Sequence, residues 1–130
     1  MSAVAAAYFG ESPMPQVPVP SAFRVLFQPN GRQKNVLYTT DGEVKVIDWK
    51  RSLCPSLEEM YAVIKCKQIE SLSFVGGLTL VFDEDGLYSS IRNTRFAEEF
   101  GHLPTKNGAL GVFSNLYGNV LVMRTDVWLE

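Results

Sequence analysis

The dipeptide Asp41-Gly42, set between two short β-rich runs, constrains this chain more than any other feature. Residues 36–40 (VLYTT) and 43–47 (EVKVI) flank it, and Asp and Gly tolerate the positive φ angles of a two-residue type I′ turn. The spacing predicts a hairpin, and so a fold with at least one antiparallel pairing. In the second strand Val44 and Val46 alternate with Glu43 and Lys45, which predicts one buried and one wet face.

A second pairing is expected further along. Residues 69–74 (IESLSF) and 78–82 (LTLVF) surround Val75-Gly76-Gly77, and Asp83-Glu84-Asp85-Gly86 turns the chain towards Leu87 and Tyr88 as in a meander. Between the two hairpins, Ser56-Leu57-Glu58-Glu59 reads as a capping box, because the Ser56 hydroxyl can accept the Glu59 N–H while Glu59 reaches back to the Ser56 N–H. The helix that follows carries Leu57, Met60, Tyr61 and Ile64 at i, i+3, i+4 and i+7, an apolar stripe. Asn93 is placed to cap another short helix in which Phe96, Ala97 and Phe100 share a face and Gly101 marks the end. Gly118-Asn119 launches a closing strand over residues 120–124, and residues 23–27 (FRVLF) read as a short strand before the turn Pro29-Asn30-Gly31, with Gly31 free to take positive φ. The expected class is α+β: a small mixed or antiparallel sheet with two short helices and β-hairpins.

At 130 residues, 46% of them hydrophobic and 20% charged, the chain has the size and apolar content of one domain. Pro13, Pro15, Pro18 and Pro20 recur in a stretch that also holds Met14, Val17 and Val19, which removes backbone donors and favours polyproline II. Residues 1–22 therefore read as a Pro-rich N-terminal arm and residues 23–130 as the domain. The arm is either a disordered leader or an apolar interaction arm that places Met14, Val17 and Val19 on a neighbouring subunit.

Charge and motif content narrow the function. Twelve Lys and Arg against fourteen Asp and Glu give a net charge of -2, and no more than two basic residues adjoin (Lys50, Arg51), so a nucleic-acid footprint is not expected. Cys54 and Cys66 form no Cys-x-x-Cys pair, and the helix between them should hold the thiols apart and free. No run reaches the length of a membrane span, and residues 1–10 lack the basic start and long apolar stretch of a signal peptide.

The acidic turn fails as an EF-hand, since counting from Asp83 puts Leu87 where a ligand is needed and Tyr88 where Gly is needed. Val75-Gly76-Gly77-Leu78 is not a phosphate loop, and His102 has no recognisable nucleophile or acid partner. No catalytic residue, metal or cofactor is assigned, and a non-enzymatic role is expected. The one polar set nominated for a ligand, an anion, is Arg92, Asn93, Arg95 and Lys106.

Residues 57–60 (LEEM), 68–72 (QIESL) and 77–86 (GLTLVFDEDG), then Asn93 and residues 118–122 (GNVLV), carry a likeness in order and spacing. They resemble the domain of unknown function DUF3846, across roughly residues 44–124. That resemblance implies a setting in phages, bacteria or large DNA viruses and no particular chemistry. The expected function is a virus- or phage-type interaction or assembly protein, a minor virion component whose partners are proteins or assembly neighbours, in the virion or host cytoplasm. The alternative is an accessory protein that binds or sequesters a small nucleotide-like anion.

Overall fold

Both predicted hairpins form, and a computed structural model describing residues 19–74 and 76–128 joins them into one antiparallel sheet. The strands are β1 (Lys34–Tyr38), β2 (Val44–Asp48), β3 (Ile69–Phe74), β4 (Leu78–Asp83) and β5 (Val120–Arg124), in the order β2-β1-β5-β4-β3. The helices are α1 (Ser21–Leu26), α2 (Leu57–Ile64), α3 (Gly86–Ser89), α4 (Thr94–Phe100) and α5 (Thr125–Trp128). The α+β class holds, and among the described residues α2 and α4 are the two helices of more than six residues.

β5 lies at the centre and hydrogen-bonds β1 on one side and β4 on the other. Covered on both faces, it has no alternation: Val120, Leu121, Val122 and Met123 are all buried. On one face of the sheet Val36, Tyr38, Leu80 and Val122 meet Ala22 and Leu26 of α1, Phe96 and Phe100 of α4, and Phe113. On the other, Leu37, Val81, Leu121 and Met123 meet Met60 and Ile64 of α2.

Several expectations need correction. Residues 23–27 are not a strand, because α1 covers the first four of them and Phe27 is its C-cap. Ala22, Phe23, Leu26 and Phe27 recur at i, i+1, i+4 and i+5, a helical face that a five-residue window hides. Ala22 and Leu26 enter the core, while Phe23 stacks on Phe27 at 5.8 Å and meets Phe74 edge-on at 5.5 Å. Among the described residues the packed part therefore includes Pro20, which is buried and precedes the first helical residue, as well as residues from 23 onward. In the next turn the left-handed residue is Asn30 (φ 69°), not Gly31. Gly31 is required for a different reason: a Cβ there would stand 1.9 Å from the Leu26 carbonyl oxygen.

The first hairpin closes differently from the I′ expectation. Thr39 N–H donates to Glu43 O at 2.9 Å, Gly42 N–H to Thr39 O at 3.1 Å, and Gly42 alone in the loop has positive φ (91°). These are the marks of a three-residue loop with a type I turn and a glycine bulge. The Thr39 hydroxyl, which accepts the Glu43 N–H at 3.1 Å, supports this longer closure. β2 is an edge strand, and Val46, expected to be buried, is 51% exposed.

The capping box on α2 forms as read, with Glu59 N–H to Ser56 Oγ at 3.1 Å and Ser56 N–H to a Glu59 carboxylate oxygen at 2.8 Å. Its apolar face is Met60, Val63 and Ile64; Leu57 is exposed and Tyr61 only partly covered. The meander stops at β4. Asp83 accepts the Asp85 N–H at 2.9 Å, and Tyr88 N–H closes on Asp85 O at 3.0 Å, which winds the chain into the single turn of α3. Among the described residues no helix is long and apolar enough to cross a membrane.

Candidate functional site

Asn93 occupies the N-cap of α4. Its Oδ1 accepts the Phe96 N–H at 2.9 Å, and its Nδ2 donates to Tyr38 O at 2.9 Å and Gly118 O at 2.8 Å. One buried side chain thus caps a helix and ties the end of β1 to the turn entering β5. Both of its Nδ2 hydrogens, the donors an anion would need, are committed, which takes it out of the anion set. Arg92 is exposed and donates from Nε to Ser114 O at 2.7 Å, while Arg95 pairs with Glu99 at 3.1 Å one helical turn on. Lys106 belongs to a separate groove beside β3. The four nominated residues are not gathered on one ligand.

Glu99 is the densest polar node among the described residues. It accepts the Ser21 N–H at 2.7 Å, the Tyr38 hydroxyl at 2.7 Å, the Ser21 hydroxyl at 3.1 Å and the Arg95 guanidinium. Partial burial pushes its carboxyl up, but these hydrogen bonds outweigh burial and hold it below the usual carboxylate range. The Tyr38 hydroxyl moves the other way, raised first by burial and then by its hydrogen bond to, and the charge of, Glu99. The node clasps α1, α4 and β1 together. Of its four contacts, only the Arg95–Glu99 spacing was visible in the sequence, as an i, i+4 pair.

A pH dependence follows from that node. A carboxyl whose folded pKa is depressed contributes stability above its unfolded value, 4.5 here, and loses it as pH falls through the folded pKa. Stability against urea should therefore fall progressively below about pH 5. Glu99→Gln should be less stable at neutral pH and flatter with pH across that window.

The remaining ionisable groups are structural or solvated. Asp83, Glu84 and Asp85 form the turn before α3, His102 is exposed, and no three His, Cys, Asp or Glu among the described residues could hold a metal ion. Cys54 and Cys66 form no disulfide and are half-buried, with the Cys66 thiol pushed up by burial.

Two surface features stand apart from this scaffolding. The first is Leu87, Tyr88 and Ile91, exposed at 62%, 85% and 64%. Their backbone is fixed, since Ser90 N–H bonds Gly86 O at 2.9 Å and Ile91 O accepts the Gly118 N–H at 2.9 Å. Reading Leu87 and Tyr88 as the start of a strand hid them. The second is an open groove of about 450 Å³ along β3, lined by Ser71, Leu72, Ser73, Thr105, Lys106 and Val112 among others. Of the interaction arm, Val19 is exposed, whereas Met14 and Val17 lie outside the described residues.

Comparison of the chain with protein-family models, curated proteins and solved structures gave no match. What the geometry defines is a class: a five-stranded antiparallel α+β domain with exposed apolar surface.

Proposed function

We propose that this chain is a non-enzymatic interaction or assembly protein. The observation that carries the reading is the Leu87, Tyr88 and Ile91 cluster, three large apolar side chains held in solvent on a hydrogen-bonded segment. Exposed apolar side chains grouped on a rigid backbone suit burial against a partner, because little ordering entropy is lost on docking. The resemblance to DUF3846 supports a virus or phage setting, with the protein as a minor virion component in the virion or host cytoplasm. The alternative, capture of a nucleotide-like anion, retains only Lys106 in an open groove after Asn93, Arg92 and Arg95 are accounted for.

Copurification tests the proposal. The chain should remain with intact particles through a high-salt wash, and the L87S/Y88S/I91S variant should be lost from them while its thermal midpoint stays within a few degrees. Exposed positions of this kind usually change stability by about 0.5 kcal/mol or less each. A wild-type chain found wholly in the soluble pool would sink the reading.

A further inference from the structure

Helix α1 is capped from far away. Pro20 precedes it without a side-chain hydrogen bond, and the helix is only six residues long, so its first N–H groups need acceptors from elsewhere in the domain. The Ser21 N–H donates to Glu99 Oε1 at 2.7 Å, across 78 positions of sequence. The Ala22 N–H faces the Tyr38 hydroxyl oxygen, whose own proton is donated to Glu99 Oε1 at 2.7 Å. The Ser21 hydroxyl adds a bond to Glu99 Oε2 at 3.1 Å. A carboxylate on α4 thus does for α1 what an N-cap side chain normally does.

The groups that meet this carboxylate are donors. Besides Ser21 of α1 and Tyr38 of β1, Arg95 of α4 reaches it at 3.1 Å. Of the remaining charges on these three elements, Arg24 and Glu98 are exposed and Lys34 stands at the opposite end of β1 from Tyr38. A proton taken from solvent onto either Glu99 oxygen sets an O–H among these donors, reduces the acceptor capacity and removes the charge that Arg95 pairs with. Water shields this site least. The Glu99 side chain is 14% exposed, against 33%, 48% and 59% for Glu59, Asp126 and Glu43, the other acids in ion pairs among the described residues.

The sheet and α4 do not depend on that charge. Backbone hydrogen bonds join the strands, and the uncharged Asn93 caps α4. Apart from Glu99, α1 is held by Ala22 and Leu26 in the core, by Phe23 on Phe74 at 5.5 Å and by Arg124 over Phe27 at 5.3 Å. A short element with few ties opens at lower free energy than a central sheet. We infer that Glu99 is an acid-sensitive latch: when it takes up a proton, α1 lifts away while the five strands stay paired. Lifting uncovers the sheet face that Ala22 and Leu26 cover and the Phe74 ring that Phe23 meets edge-on. Acid thereby creates apolar surface separate from the Leu87, Tyr88 and Ile91 cluster, whatever that cluster binds. Because the folded carboxyl lies below its unfolded value of 4.5, the latch is closed above that pH and opens as pH falls through the folded value.

Amide hydrogen exchange on the full chain, corrected for the intrinsic effect of pH, tests the latch. Between about pH 6 and about pH 3 the Leu26 and Phe27 amides should lose at least roughly tenfold more protection than the Val120–Arg124 amides of β5, the change that one unit of pKa displacement produces. E99Q should show an opened α1 already at about pH 6, with β5 still protected, and E59Q should leave α1 as in the wild type. Wild-type α1 amides that keep their protection at about pH 3, or that fall together with those of β5, overturn the latch, and both readings stand even where E99Q does not fold. Wild-type α1 protection in a folded E99Q chain, or an equal loss in E59Q, overturns it as well.

Discussion

Asn93→Ala should destabilise the domain by about 3 kcal/mol: roughly 1 for the lost helix cap and roughly 1 for each carbonyl deprived of its donor. The side chain is 1% exposed, so water cannot readily replace those bonds, and its partners at Tyr38, Phe96 and Gly118 belong to three different elements. Urea denaturation should show a lower midpoint with an unchanged slope, and the thermal midpoint should fall by roughly 10 °C or more. Asn93→Asp separates the two duties, since it keeps an acceptor for Phe96 N–H but turns a carboxylate towards two carbonyl oxygens. It should be no more stable than the alanine variant at neutral pH. A wild-type midpoint for Asn93→Ala would mean that the junction between β1 and β5 is held by the sheet alone.

Phe100→Ala should cost about 4 kcal/mol, within the range for deleting a fully buried aromatic ring. Phe100 stacks on Phe96 at 4.4 Å and meets Tyr38 at 5.6 Å, Phe74 at 5.8 Å and Phe113 at 6.4 Å edge-on. The ring therefore joins β1, β3, α4 and the Phe113 turn, and the rigid sheet beneath has little freedom to collapse into the space left. Phe100→Leu should recover part of the loss because it refills volume, though not the aromatic geometry. Equilibrium unfolding of the pair measures both terms. Equal stabilities for the alanine and wild-type chains would show that the aromatic cluster is not a packed core.

Features that close within a few residues were readable from the chain itself. The Ser56–Glu59 box, the Asn93 cap and the β3–β4 pairing are set by hydrogen bonds or turns whose partners lie two to five positions apart, so local residue chemistry suffices. The presence of the first hairpin was equally local, but not its turn type, because the Thr39 hydroxyl competes for the Glu43 N–H. What tertiary structure decided is long-range. β5 lies between β1 and β4 because only a central position buries both faces of Val120–Met123, which no single-strand pattern reveals. α1 is helical because Ala22 and Leu26 find a core built from residues far along the chain. Asn93 looked like both a cap and an anion ligand, and the carbonyls of Tyr38 and Gly118, 55 and 25 residues away, settled its role by consuming both donors. The exposure of Leu87, Tyr88 and Ile91 was likewise invisible beforehand, since an apolar residue is assigned to a core until the packed sheet shows that no core reaches it.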